Sequence, residues 1–358
     1  MSKSKRNNFI DIVKGLAIFL MLWGHCIQIC VVGSDIDFFE NSVFKTIYSF
    51  HMPLFMLVSG YLFYFSFMKR GLKELLIHRT QSLLQPIVFC TIFDFFATNV
   101  LLGLLSGKFN SPFNGAWMQN LSHLLWFLWS VLAASIAVAI VCKKCKNIFA
   151  QLVCLLAFVP IVALFPNIDE NIYMYPYFII GFYFAQYKDK LPSWVYKLKY
   201  LSLALFPMML YFYEKKHYIY TTGIFPNEEY SWKGMLIIDA YRWAIGLVGA
   251  IFVLTVLELI YNNISTKLRK PVISKSLTKL GKKSIQVYVF SVTFLSTYLA
   301  TFFPIGLRVL GIDNVFVKNM IIYNFVFTLL LAVLYSIILY LIIKLFEKLN
   351  LTKIMFGK

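Results

Sequence analysis

The feature that most constrains this sequence is a series of apolar runs of membrane-crossing length, separated by short polar breaks. A helix needs about 17–25 such residues to cross the hydrocarbon core, where unpaired backbone N–H and C=O groups are not tolerated. Runs of this kind fall at 9–33, 43–66, 81–105, 121–141, 148–166, 172–187, 199–213, 235–260, 284–304 and 318–346, the sixth and seventh being short. They predict an all-α, polytopic integral membrane protein of about ten transmembrane helices. Lys3, Lys5 and Arg6 ahead of the first run resemble a signal peptide. That run is too long and lacks a small-residue cleavage site, so it reads as a retained first helix.

A formal net charge of +18 would suggest a nucleic-acid partner in a soluble chain. Here 60% of the residues are hydrophobic, against about 45–50% in soluble domains. The cations sit in clusters between the runs, so no nucleic-acid partner is expected. Alternate loops are basic: Lys69, Arg70, Lys73 and Arg79; Lys143, Lys144 and Lys146; Lys188, Lys190, Lys197 and Lys199; then Lys275, Lys279, Lys282 and Lys283. The intervening loops carry few cations and hold Asp35, Asp37, Glu40, Asp169, Glu170, Glu228 and Glu229. Under the positive-inside rule this alternation predicts both termini in the cytoplasm. No internal repeat and no long polar stretch interrupts the pattern, so 1–358 reads as one transmembrane domain with no soluble domain. The six cysteines give one C-x-x-C, Cys142 and Cys145, with no second pair to complete a zinc site, and no metal is expected.

Ionisable residues inside spans are costly, at least ~3 kcal/mol at a helix centre, and each asks for a reason. Asp11, Lys14 and His25 lie in the first span. Lys14 and His25 share a face, about three turns or roughly 16 Å apart, and Asp11 can pair with Lys14. His51 lies about two turns inside the second span, at a depth close to that of His25 and just ahead of Pro53. Asp94 is near the middle of the third span, and Asp239 and Arg242 lie three apart in the outer half of the eighth. Each has a bland reading. Lys14 and Arg79 can be snorkelling anchors, the histidines packing residues, and Asp239–Arg242 a structural ion pair. Their convergence in the middle and outer half of one bundle favours a shared polar cavity.

Several segments carry a resemblance. Ile10-Asp11-Ile12-Val13-Lys14-Gly15-Leu16-Ala17-Ile18 followed by Gly24-His25 resembles the opening helix of the membrane acyltransferase-3 family, most of whose well-described members have Arg where Lys14 stands. Phe50-His51-Met52-Pro53-Leu54-Phe55 is similar to its second-helix motif, and Arg79 with Leu83-Leu84-Gln85-Pro86 to the start of its third. Leu125-Trp126-Phe127-Leu128, Pro176-Tyr177-Phe178-Ile179-Ile180-Gly181, Tyr241-Arg242 and Gly281-Lys282-Lys283-Ser284-Ile285-Gln286-Val287-Tyr288 continue the match in the family's order. Ser291 stands near the place where many relatives have a further His.

The resemblance implies an O-acyltransferase of a bacterial cytoplasmic (inner) membrane. Its donor is cytoplasmic acyl-CoA, most simply acetyl-CoA, and its acceptor a hydroxyl of an envelope or exported polysaccharide or lipid-linked glycan. Membrane lipid surrounds it. On this reading Lys14 and Arg79 receive the anionic end of CoA, and His25 takes the hydroxyl proton. Asp94 or Asp239 orients the imidazole, while His51 and Arg242 hold the acceptor or stabilise the oxyanion. Direct transfer and an acyl-His intermediate both fit. A polysaccharide flippase or small-molecule transporter is the rival from another class, and a glycan polymerase or ligase a third. Repeats or a large basic outer loop would favour these rivals, whereas a requirement for acyl-CoA would favour the acyltransferase.

Overall fold

The computed structural model describes residues 7–31, 37–96, 125–267, 272–294 and 319–356, with the backbone alone at 94, 95 and 263–267. Among the described residues there is no β-strand. The major helices are α1 (Asn8–Cys30), α2 (Ser42–Lys69), α3 (Leu72–Phe96), α4 (Trp126–Lys144), α5 (Ile148–Ala157) and α6 (Ile168–Tyr187). They continue with α7 (Ser202–Tyr211), α8 (Trp232–Lys267), α9 (Val272–Lys282), α10 (Ser284–Phe294) and α11 (Met320–Lys348). Five of these helices, α1, α2, α4, α8 and α11, are long and apolar enough to cross a membrane. Leu156, Leu164, Leu236, Leu334 and Leu341 are exposed on the outside of the bundle. Lipid rather than water suits such a surface, and the chain is an integral membrane protein.

Caps set where the first helices begin. Asn7 Oδ1 accepts from the Phe9 N–H at 3.0 Å, and Asn41 Oδ1 accepts from Val43 and Phe44 at 3.0 and 3.1 Å. Hydropathy misjudges two segments. Helix α3 begins at Leu72 rather than 81, because Lys73, Glu74 and Arg79 leave the apolar window yet are good helix formers. Residues 148–166 form α5 and a separate short helix, Val159–Val162, rather than one continuous span. Pro160 supplies no N–H there, and the Tyr175 hydroxyl donates to the nearby Leu155 carbonyl at 3.1 Å.

Two seams let backbones touch. A Cβ on Gly60 of α2 would overlap the Phe178 carbonyl of α6, and one on Gly181 would overlap the Leu57 carbonyl. Gly15 of α1 and Gly281 of α9 meet the Leu277 and Asp11 carbonyls in the same way.

Polar contacts gather the helix ends into two groups. At one end Lys143 Nζ donates to the Phe67 carbonyl (2.9 Å), Lys199 meets Glu258 (2.6 Å) and Lys283 meets Glu347 (2.7 Å). At the other, Lys215 meets Asp37 (2.6 Å), the Tyr218 hydroxyl donates to the Phe39 carbonyl (3.1 Å), and Asn41 Nδ2 donates to Asn324 Oδ1 (2.7 Å). The first group joins ends expected to be cytoplasmic, and the second joins ends expected outside. Near the second group α11 widens into a π-helical stretch, Tyr323–Thr328. There Tyr323 OH donates to the Ile27 carbonyl at 2.7 Å and Trp23 Nε1 to Thr328 Oγ1 at 3.0 Å. This stretch clasps α1 on both sides of His25.

Candidate active site

Helix α1 presents Lys14, Ile18, Met21 and His25 at successive turns of one face. The first three line a cavity of about 140 Å³ that also touches α2, α3, α4 and α10 through Met52, Phe55, Ser59, Arg79, Phe127 and Tyr288. Lys14 Nζ lies 3.3 Å from Asp11 Oδ1, as their spacing predicts. The Arg79 guanidinium lies over the Phe63 ring, 4.7 Å from its centroid. Its buried Nε has no acceptor among the described residues. The two cations expected at the donor mouth therefore border the same space.

His25 is the next residue on that face. Its Nδ1 lies 2.8 Å from Gln28 Oε1, which also accepts from the Tyr48 hydroxyl at 3.0 Å. With a carbonyl oxygen facing it, Nδ1 carries the proton and Nε2 keeps its lone pair, the tautomer a general base requires. Gly24 makes room for this arrangement, since a Cβ there would press on the Tyr48 ring. Among the described residues the side chain facing His25 Nδ1 is thus Gln28. Asp239 instead pairs with Arg242 at 3.0 Å, and Asp94 belongs to α3 but its side chain lies outside the described residues.

His51 is buried and stacks on Tyr48 at 4.7 Å between centroids. Its Nδ1 donates to the Ile47 carbonyl at 2.9 Å, so its Nε2 is also unprotonated in the neutral ring. His51, Tyr48 and Met52 line a second, outer pocket of about 20 Å³ together with Tyr213, His217 and Tyr218. His25 and His51 therefore approach the same tyrosine from two helices, as their matched depth predicts.

Arg242 is buried, at 1% exposure. Its Nη1 donates to the Gly223 carbonyl at 2.5 Å. Its Nη2 donates to Thr222 Oγ1 at 2.5 Å and to the Lys216 carbonyl at 3.2 Å. These bonds hold the loop 213–223 down over His51, while the buried Arg242 Nε has no acceptor among the described residues. Asp169 Oδ1 adds a bond from the Ile224 N–H at 3.3 Å. Gly223 turns with φ of 66°, a region that favours glycine. Within the loop, His217 Nδ1 accepts from the Glu214 N–H at 2.8 Å. Burial and the Lys216 charge hold this imidazole down at about 4.

Gln28, Tyr48 and the Thr222–Gly223 turn contact the candidate residues and were not singled out by the sequence. Gln28 stands three residues after His25 and was open to the helical-neighbour rule already applied to Asp11 and Lys14. The turn had no comparable pattern.

A family profile described as Acyltransferase domain matches residues 7–341. The chain belongs to the acyltransferase-3 family. Membership implies an acyl donor and an acceptor substrate. Among curated proteins, the chain is 30% identical over 215 residues to "Nodulation protein NolL" of Sinorhizobium fredii. That match covers 57% of this chain and 55% of the relative, so it spans little more than half of that protein's length. A NolL of Mesorhizobium japonicum is 24% identical over 297 residues, covering 80% of this chain and 76% of the relative. No solved structure matches the chain. Among the described residues no cluster of His, Cys, Asp or Glu suits a metal ion.

Proposed function

We propose that this protein is a membrane O-acyltransferase. It moves an acyl group, most simply acetyl, from cytoplasmic acyl-CoA to a hydroxyl of a cell-envelope or exported polysaccharide or glycolipid. The observation that carries this reading is the single α1 face on which Lys14, Ile18 and Met21 line the cavity and His25 follows with Nδ1 committed to Gln28. Lys14 and Arg79 receive the phosphates of CoA, and the unpartnered Arg79 Nε is a donor such an anion satisfies. The thin pantetheine arm then points the thioester toward His25.

In the direct route the acceptor oxygen attacks the thioester carbon while His25 Nε2 takes its proton. The C–S bond then breaks, and the thiolate leaves with that proton. In the alternative route Nε2 attacks the thioester carbon first and the C–S bond breaks to release CoA thiolate. The acceptor oxygen then attacks the acyl-imidazole carbon, the C–N bond breaks, and the hydroxyl proton passes to the thiolate. Both routes need the tautomer that Gln28 favours. Tyr48 and His51 stand where the acceptor oxygen or the oxyanion is handled, and Arg242 with Asp239 holds the loop above them.

The reading places 1–358 as one transmembrane domain of about ten spans with both termini cytoplasmic, in a bacterial inner membrane. The two-group clustering of helix ends supports it, as does the alternation of loop charge. The test supplies labelled acetyl-CoA to membranes holding wild-type protein or His25→Gln. Base-labile label in the carbohydrate fraction of the wild type alone is expected. Equal labelling by His25→Gln at equal abundance would remove His25 from the chemistry, and no donor-dependent labelling in either would overturn the function.

A further inference from the structure

The inner cavity and the outer pocket meet at one residue, Met52, which lines both. On α1, Met21 is the cavity residue nearest His25, one turn below it. Both methionines are almost fully buried, at 2% and 5% exposure. Met52 thus touches both the space bordered by Lys14 and Arg79 and the space bordered by Tyr48 and His51, while Met21 lies between the first space and His25 along α1. On the proposed route a thioester moving up the α1 face from Lys14 toward His25 passes Met21, with Met52 at the boundary of the two spaces. Methionine suits such a position because it is unbranched, has three rotatable bonds and repacks at little cost. Phe55, one turn below Met52 on α2, is a stiff aromatic that keeps the wall beneath in place.

We propose that Met21 and Met52 form a movable septum between the donor cavity and the histidine chamber, and that their bulk sets the size of the acyl group transferred. The inference rests on the acyltransferase reading above. The septum passes an acetyl group when one thioether swings aside and closes again behind it. It has two consequences. A longer acyl chain collides with the thioethers before its carbonyl reaches His25. With the septum closed and no acceptor present, water from the outer pocket is kept from the thioester. Hydrolysis, in which a water oxygen forms the new C–O bond, the C–S bond breaks and CoA thiol is released with the second product, a carboxylic acid, is thereby suppressed.

The experiment uses the full chain in lipid nanodiscs with acetyl-CoA and butyryl-CoA as donors. It follows release of CoA thiol without acceptor, and label transfer to the carbohydrate fraction of membranes. Met52→Ala and, independently, Met21→Ala are expected to raise the butyryl-to-acetyl ratio roughly tenfold, the scale on which apolar pockets distinguish single methylenes. Acceptor-independent thiol release is expected to rise with it. Met52→Leu, close in volume, is expected to keep the wild-type ratio. If Met52→Ala does not accumulate, Met21→Ala alone decides the matter. Wild-type selectivity and wild-type thiol release in an alanine variant that still transfers acetyl would overturn the septum and leave the function standing. Absence of donor-dependent transfer by the wild type would overturn the function, and the septum with it.

Discussion

On the inner side, Lys14 and Arg79 border a cavity of about 140 Å³, whereas the pocket beside His51 on the outer side measures about 20 Å³. The first is walled by apolar side chains with cations at its edge. The second is closed by a loop bound to α8 through three hydrogen bonds from Arg242. A space of the second size holds about one water molecule. The inner cavity is thus open in this conformation, whereas the outer pocket is closed by a latched loop; on the proposed reading these are the donor and acceptor sides. The proposed function then requires the loop 213–223 to lift before an acceptor hydroxyl meets His51 and Tyr48.

The comparison breaks most severely if His25 is not its meeting point. His25→Gln keeps a hydrogen-bonding group but cannot cycle a proton near neutral pH. Acyl transfer is expected to fall about 10²–10⁴-fold, measured as ester-linked label against protein abundance. Full activity in this variant would leave two unconnected spaces.

The latch is the next target. Arg242→Ala removes the partner of buried Asp239 and the donor to the Gly223 and Lys216 carbonyls. A cost of about 3–5 kcal/mol is expected, seen as rapid hydrogen exchange across 213–223 and a lower midpoint of thermal unfolding. Unchanged exchange would mean that the loop is held by Lys215–Asp37 and Tyr218 instead.

On the donor side, Lys14→Ala is expected to raise the KM for acyl-CoA roughly tenfold, the consequence of losing a charge-assisted bond of about 1.5–3 kcal/mol. Lys14→Arg is expected to retain most of the affinity. A fall in kcat with unchanged KM would place Lys14 in the chemistry rather than at the mouth.

The smallest effect is that of pH on the latch. Folding holds His217 at about 4, below its ordinary value near 6.5. The open loop therefore binds the proton more readily. Closure is at full strength above about 6.5 and weakens as pH falls from there toward 4. Protonation also removes the Nδ1 lone pair that accepts from Glu214. Asp37 does not share this window, because Lys215 holds its carboxyl below the usual carboxylate value. The protection factors of amides in 213–223, taken against the intrinsic exchange rate at each pH, should fall between pH 7.5 and 5 in wild type, and not in His217→Gln.

The one-dimensional pattern was enough to determine the helical class, the residence in lipid and the residues that share a face. Apolar length and loop charge are summed along the chain, and a fixed rise per residue converts spacing into geometry. For the same reason Asp11–Lys14, Asp239–Arg242 and the Lys14–His25 face were legible, each being local to one helix. Contacts between elements decided the rest. The α3 start at Leu72 and the break at Pro160 depend on polar and proline residues that hydropathy weighs poorly. Gln28 becomes the orienting partner only when Tyr48 arrives from α2, across the gap that Gly24 leaves. Arg242 becomes a latch only because a distant loop brings its Lys216 and Gly223 carbonyls to it. Met21 and Met52 are ordinary apolar residues in the sequence. Only the packing of the helices brings Met52 to both spaces and Met21 to the edge of the inner one, because which side chains face each other across a helix pair depends on the fit of both surfaces at once.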